Sequence, residues 1–315
     1  MDSNPKSRES QAVRGGTIPG ASGQPAFTLT RTEPSPIPIL IAVPHAGRVY
    51  PPNLVERMRS PADAALKLED RYVDLLASAV ARETGAALLV AHAPRAMIDL
   101  NRAIEEMDWE MLRKGPPPGR RTGRVGRRAR SGLGLVPRRL PGIGELWKAR
   151  IEESELDARI EGIHKPYHDA IEDCMRQIKA RWGAALLIDL HSMPPLSPRG
   201  PGEPTPDFVL GDRFGAACDG VLCAAAFDEL GAQRRHAAHN RPYAGGYVLD
   251  RHAAPERGLH AMQVEICRST YLDLRLAEPV ADRAAVTAAM VALVRRLAGE
   301  VAGLGRSNQL PQAAE

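Results

Sequence analysis

The sequence predicts an α/β fold: a single domain built on a mixed, mostly parallel sheet with helices on both faces. Three observations predict it. Short, almost uninterrupted apolar runs end at turn-forming residues, as in PILIAVPHAG (38–47), GAALLVAHAP (85–94) and GAALLIDLHSMP (183–194). Strands buried on both faces read this way, whereas half-solvated strands alternate. Stretches with helical spacing separate these runs, and strands alternating with helices imply a parallel-rich sheet covered on both sides. Finally, 315 residues at 43% hydrophobic content can bury one large core, and with only 4% aromatics Ala, Val and Leu must do most of the packing.

Taken in order, residues 1–30 are rich in Ser, Gly, Pro and charge and read as a disordered N-terminal arm. Residues 31–302 form the expected globular domain and 303–315 a flexible tail. The first strand lies at 38–43. A helix is expected over 61–84, with Leu66, Val73, Leu75, Leu76, Ala79 and Val80 at helical spacing and Gly85 as its stop. ALLVAHA gives a second strand, and MIDLN (97–101) a third short strand or strand end. Beyond an Arg/Gly-rich loop at 115–142, a long helix is expected over 144–182, broken or bent near Pro166, where a backbone donor is missing. ALLIDLHSMPPL opens with another buried strand, and DFVLGD, the AAAF region and GGYVL supply later pieces. The last strong strand lies at 262–266 and a closing helix at 280–302.

Composition excludes several classes. No run approaches the roughly 18 apolar residues of a transmembrane helix, and MDSNPKSRESQAVRGG lacks the apolar segment of a secretory signal. The expected address is cytoplasmic, with no membrane partner. Cys174, Cys218, Cys223 and Cys267 show no CxxC or zinc-ribbon spacing and read as small buried apolar residues. The net charge of +4 is unevenly spread: residues 119–142 carry many arginines and no acid, and the remainder is slightly acidic. Such a run can bind nucleic acid through phosphate, but it has no interleaved aromatics for base stacking. A solvated loop and a cover that attracts a small anion are the other readings. There is no GxxxxGK[ST] phosphate loop and no GxSxG elbow.

The chemistry gathers at strand ends. AVPHAG puts His45 just past one strand, and LLIDLHSMP puts His191 at the end of another with Asp189 upstream. That rim is where ligands bind in open α/β sheets. Two imidazoles there suggest a metal, because catalytic zinc commonly takes two histidines and a carboxylate and keeps one position for water. LEDRYVD offers Glu69, Asp70 and Asp74, with Asp70 and Asp74 on one helical face; ordinary helix-start acids are the competing explanation. Glu265 sits inside the apolar strand of MQVEICRSTYLD. A buried carboxylate costs several kcal/mol unless compensated. Beside a metal it would serve as general base; otherwise it is a buried ion pair with Arg268 or Arg241. In IDLNR, Asp99, Asn101 and Arg102 follow a strand: Arg102 with Asn101 can grip a carboxylate while Asp99 orients a ligand or the arginine, and a helix N-cap is the competing explanation. HNRPYAGGYVLD adds Asn240, Arg241, Tyr243 and the pair Gly245–Gly246, which lets backbone approach a ligand closely.

The PHAG, EDRYVD, IDLNR, DLHS, NRPYAGGY and QVEICRSTYLD segments, over about residues 38–273, resemble the N-formylglutamate amidohydrolase family. The resemblance implies a fold similar to zinc carboxypeptidases and aspartoacylase, one catalytic Zn2+, and hydrolysis of N-formyl-L-glutamate to L-glutamate and formate, a late step of histidine degradation. It implies His45 and His191 as metal ligands with Asp70 as the carboxylate and Glu69 as its substitute. Glu265 matches the base. Asn101, Arg102, Arg138, Arg241 and Arg268 are the expected contacts to a small anionic N-acyl amino acid. Arg48, three residues beyond His45, stands where carboxypeptidases carry an acid, so the short HxxE ligand pair is absent. Deacylation of another N-acylamino acid, carboxypeptidase action, and nucleic-acid binding through the arginine-rich loop are the alternatives.

Overall fold

In the computed structural model, which describes residues 10–116, 126–198, 200, 202 and 204–309, the chain runs β1 (Ser10–Gly15), β2 (Phe27–Thr32), β3 (Ile39–Val43), α1 (Pro52–Arg57), α2 (Pro61–Leu68), α3 (Val73–Thr84) and β4 (Ala87–Ala91). It continues through α4 (Arg127–Arg130), β5 (Arg139–Leu140), β6 (Gly144–Glu145), α5 (Glu153–Arg159), α6 (Lys165–Trp182), β7 (Ala185–Met193), β8 (Phe208–Gly211) and α7 (Gly220–Ala232). The last elements are β9 (Ala237–His239), α8 (Tyr247–His252), β10 (Leu259–Cys267) and α9 (Ala284–Gln309).

Eight strands form one mixed sheet in the order β1-β2-β4-β3-β7-β10-β8-β9, and β5 pairs with β6 in a separate ribbon. The centre is parallel: β4 with β3, β3 with β7, and β7 with β10. The antiparallel pairs are β1 with β2, β2 with β4, and β10 with β8, while β9 returns parallel to β8. All five residues of β3 are fully buried, as its unbroken apolar run requires. Alternate residues feed two cores. Ile39, Ile41, Ile188 and Val264 pack under α3, α7 and α9; Leu40, Ala42, Leu187 and Ala261 pack under α6 and the loops around Met97–Leu112 and Leu135–Trp147.

Several expectations are corrected. The arm expected at 1–30 is strand from Ser10: β1 is almost wholly exposed, so its order comes from pairing with β2 rather than from burial, and residues 1–9 lie outside the described residues. The helix expected over 61–84 breaks between α2 and α3, where Tyr72 takes a left-handed conformation (φ 56°). MIDLN is a turn rather than a strand. The helix expected from 144 begins at Glu153: Leu146, Trp147 and Ile151 mimic helical spacing but bury from an extended segment bridged to Met58 and Leu112. A π-helical turn (Ile160–His164) precedes Pro166 and joins α5 to α6 without a break. The AAAF region is helical, within α7. The tail expected at 303–315 is helical through Gln309, and 310–315 lie outside the described residues. The four cysteines are free and buried. No helix among the described residues is long and apolar enough to cross a membrane.

Near its end α9 crosses the C-terminus of α6, where a Cβ on Gly305 would meet the Trp182 carbonyl oxygen at 1.9 Å. Alanine normally favours a helix over glycine by about 1 kcal/mol. Here Gly305→Ala is expected to do the opposite and cost ~1–3 kcal/mol by overpacking. Denaturant unfolding reads this directly; a stabilised variant would show that the two helix ends are not tightly docked.

Candidate active site

The polar cluster arises by continuing the core pattern one step too far. On β7, Ala185 and Leu187 face the core under α6, and the same two-residue period places Asp189 and His191 on that face at the strand's carboxyl end. On β10, Ala261 is followed likewise by Gln263 and Glu265. Parallel register pairs Asp189 with Gln263 and His191 with Glu265. His45 lies just past β3, at the same rim. The break between α2 and α3 brings Asp70 there, and its backbone N–H donates to the His45 carbonyl at 2.9 Å. All these side chains are at least nine-tenths buried.

The two imidazoles stand 4.8 Å apart between ring centroids and are used alike. His45 Nε2 is 2.7 Å from Asp99 Oδ1, and His191 Nε2 is 2.9 Å from Asp189 Oδ2. A carboxylate can only accept, so each Nε2 carries hydrogen. Both Nδ1 atoms face Asp70 Oδ2, His45 at 3.5 Å and His191 at 2.9 Å. Two lone pairs and an anion then meet at one point, and something positive must lie between them. In the bare protein a proton serves on His191. Burial would lower its pKa, but Asp189, Asp70 and Glu265 outweigh burial and raise it well above the usual histidine range. His45 Nδ1 is left buried without a hydrogen-bond partner. The ligand atoms of His45, Asp70 and His191 lie within 4.8 Å of one another. Two neutral nitrogens and one anionic oxygen suit a borderline divalent ion, so these residues fit a metal. Asp99 and Asp189 then occupy the outer positions that fix ligand orientation in metal sites.

Several groups hold this geometry. Asp99 also takes Arg95 Nε at 2.9 Å and the Asn101 N–H at 2.9 Å. Burial would raise Asp99, but Arg95, His45 and Arg102 hold it well below the usual carboxylate range. Asp70 is likewise held down, against burial, by His191 and His45. Arg268 Nη2 reaches Asp70 Oδ1 at 3.3 Å and the Glu69 carbonyl, and Arg268 Nε donates to Ser192 Oγ at 3.1 Å. Glu265 accepts from Gln263 Nε2 at 2.9 Å; burial pushes its pKa up to about 7, with the neighbouring Asp70 and Asp189 adding to the rise and His191 opposing it. Behind the site, His164 and His168 donate from Nε2 to the carbonyls of Arg102 and Leu100, at 2.9 and 3.0 Å, so the loop carrying Asn101 is held from both sides.

The cluster floors a cavity of about 290 Å³ whose lining includes His45, Asp70, Asn101, Arg102, His191, Glu265 and Arg268. The structure thus brings together seven of the nine residues expected as metal ligands, base or substrate contacts, and Tyr243 lines the same cavity. Arg138 stands in a different cavity beside Trp147, 2.8 Å from Asp108 and 3.4 Å from Glu110, so neighbouring acids already occupy it. Arg241 is exposed and not part of the lining. Glu69 pairs with Arg71 at 3.0 Å, away from the triad, and Asp74 pairs with Arg48 at 2.8 Å from the first turn of α3. A Cβ on Gly246 would stand 2.6 Å from Asn101 Oδ1, so the close backbone approach serves Asn101, whose Nδ2 reaches Asp189 and His191 at 3.3 Å.

Sequence reasoning missed Arg95, Lys67, Arg128 and Gln263, all of which line the cavity. Gln263 was signalled by the QVE alternation on β10, and Arg95 by its four-residue spacing to Asp99. Arg120, Arg121 and Arg124 of the arginine-rich loop lie outside the described residues. Because Asp99 and Asp189 orient the two ligand imidazoles, Asp99→Asn and Asp189→Asn should each weaken divalent-metal affinity ~10–100-fold. Competition against a chelating indicator measures this; unchanged affinity in both would remove the carboxylates from the ligand scaffold.

Comparison with known proteins places the chain in a family. Residues 37–272 match the family model described as N-formylglutamate amidohydrolase. The chain is 30% identical over 278 residues to N-formylglutamate deformylase of Pseudomonas aeruginosa, covering 86% of this chain and 94% of that protein. It is 30% identical over 245 residues to the Pseudomonas putida enzyme of the same name, covering 75% and 82%. A crystal structure of N-formylglutamate amidohydrolase from Ralstonia eutropha superposes with a TM-score of 0.78 at 30% identity, over 88% of this chain and 98% of that one. With the matched region running from β3 through β10 and including every residue of the triad, this chain belongs to the N-formylglutamate amidohydrolase family.

Proposed function

We propose that this protein hydrolyses N-formyl-L-glutamate to L-glutamate and formate, with one zinc ion held by His45 Nδ1, His191 Nδ1 and Asp70. The observation that carries the reading is the convergence of those three ligand atoms beside a buried glutamate in a cation-lined cavity. The named relatives support the substrate. So does the cavity: Lys67, Arg95, Arg102 and Arg128 line it, more positive charge than a neutral amide needs and suited to a dicarboxylate. Arg102 is buried and its pKa is lowered by that burial, so an incoming carboxylate relieves an unfavourable charge. This reading gives the arginine-rich segment a role through Arg128 without a nucleic-acid partner. A cytoplasmic address and a late place in histidine degradation go with it.

When bound, the ion supplies a Lewis acid that acidifies water and polarises the amide carbonyl. The chain's own residues do the rest. Asp99 and Asp189 keep both imidazoles in the tautomer whose Nδ1 is a ligand. Glu265, fixed at Oε1 by Gln263, takes a proton from the attacking water as the C–O bond forms. It returns that proton to the amine nitrogen as the C–N bond breaks. The arginines and Lys67 hold the two carboxylates so that the formyl carbon stays over Glu265.

Formate release from N-formylglutamate tests the reading. Glu265→Gln should lower kcat by ~10²–10⁴, the usual contribution of a positioned base. The base must be ionised to accept a proton, and burial raises Glu265 to about 7 in the metal-free protein while a bound cation would bring it down; wild-type activity should therefore fall as pH drops below about 7, and Glu265→Gln should lose this limb. Chelation should abolish turnover and added zinc restore it. Full activity after chelation or in Glu265→Gln would overturn the mechanism; faster release of a longer acyl group, or cleavage at a peptide carboxy terminus, would move the substrate to another N-acyl amino acid or a peptide.

A further inference from the structure

A second group of metal-ligating side chains meets at the other end of the sheet order. Asp212 follows β8, His239 closes the edge strand β9 and Cys223 lies on α7; their ligand atoms fall within 4.8 Å of one another. Register separates this group from the active site. Leu210 pairs with His239 and packs in the same core as Cys223, whereas Glu265 pairs with Val209, whose side chain points to the opposite face. The two clusters therefore lie on opposite faces of one sheet.

The arrangement converges on a point rather than forming a chain. His239 uses the same nitrogen, Nε2, toward both Asp212 Oδ2 at 3.1 Å and Cys223 Sγ at 3.4 Å. A nucleophile–imidazole–acid relay would use both ring nitrogens; a shared ion needs one donor atom from each residue. Asp212 is held in place for this. Its Oδ1 accepts from Asn240 Nδ2 at 2.7 Å and the Gly215 N–H at 3.1 Å, and its own N–H donates to Asn240 Oδ1 at 3.0 Å, which leaves Oδ2 turned to His239. Asn240 adopts a left-handed backbone (φ 59°) in making this clamp. Phe227 stands edge-on to the His239 ring, 5.4 Å between centroids, and sets its orientation. Asp212 and Cys223 are buried, while the His239 side chain is 46% exposed, so an ion has a path from solvent and room for a water as fourth ligand.

We propose that Asp212, Cys223 and His239 form a second divalent-metal site of the zinc type, which ties α7 to the edge strand and is independent of the catalytic centre. One sulfur, one nitrogen and one oxygen are ligands that zinc accepts. Metal-free full-length protein titrated with cobalt(II) tests it. The catalytic triad offers only nitrogen and oxygen, so a near-ultraviolet thiolate-to-cobalt charge-transfer band reports the second site alone. Wild type should take up two equivalents and show the band. Cys223→Ser should lose the band and one equivalent, and so should His239→Gln, whose exposed side chain makes misfolding no explanation. Uptake without a charge-transfer band in wild type, or a band that survives in both variants, would overturn the proposal.

Discussion

Asp70 is an anion sealed between two imidazoles, and much of the local architecture exists to keep it there. Its position requires the helix beginning at Pro61 to stop at Leu68 and the next to start only at Val73, with Tyr72 in a left-handed turn between them. A backbone bond to His45 fixes the turn to the end of β3, and Arg268 reaches across from the end of β10 to brace the carboxylate. Three strands and one helix break thus converge on a single carboxylate. Taking such charges out of water costs several kcal/mol each, and only dense pairing offsets this. That is why Asp99, Asp189 and Asn101 are buried along with His45, Asp70 and His191, with Arg95 pairing Asp99 from the cavity side.

The central sheet makes this possible with little special structure. Parallel pairing of β7 with β10 sets four polar residues side by side on a face whose earlier positions are apolar. The same regularity that builds the core builds the site, and the transition from one to the other takes one two-residue step along each strand. Glu265 shows what the arrangement costs. A carboxyl whose folded pKa is raised contributes stability below its unfolded value and loses it as pH rises. In the metal-free protein it therefore opposes folding at neutral pH, a cost of the kind that functional sites commonly impose on their scaffold.

What was legible in the sequence follows from contrast. His45, His191 and Glu265 stand out because each is polar at the end of, or inside, an apolar run, and β3, β4, β7 and β10 are legible for the same reason. Asp70 was visible as a candidate only, since the chain around it reads as helix and a left-handed tyrosine leaves no sequence mark. β1 was illegible because an exposed edge strand is ordered by its neighbour's hydrogen bonds, not by its own composition. Arg138 and Arg241 looked available for substrate because sequence does not show which acids fold against Arg138, nor that Arg241 ends up on the surface. Arg95 escaped notice for the opposite reason: an ordinary arginine in a loop acquires its role from Asp99, four residues on.

The central claim is that one divalent ion is shared by two imidazoles through their Nδ1 atoms and by Asp70. Anomalous diffraction from zinc-loaded crystals at the metal absorption edge tests it most directly. The account predicts a strong peak on the cavity floor with His45 Nδ1, His191 Nδ1 and an Asp70 oxygen each about 2.0–2.2 Å away, and Nε2 of each ring still on its carboxylate. A peak ligated through Nε2, or one that leaves either histidine outside the coordination sphere, would contradict it.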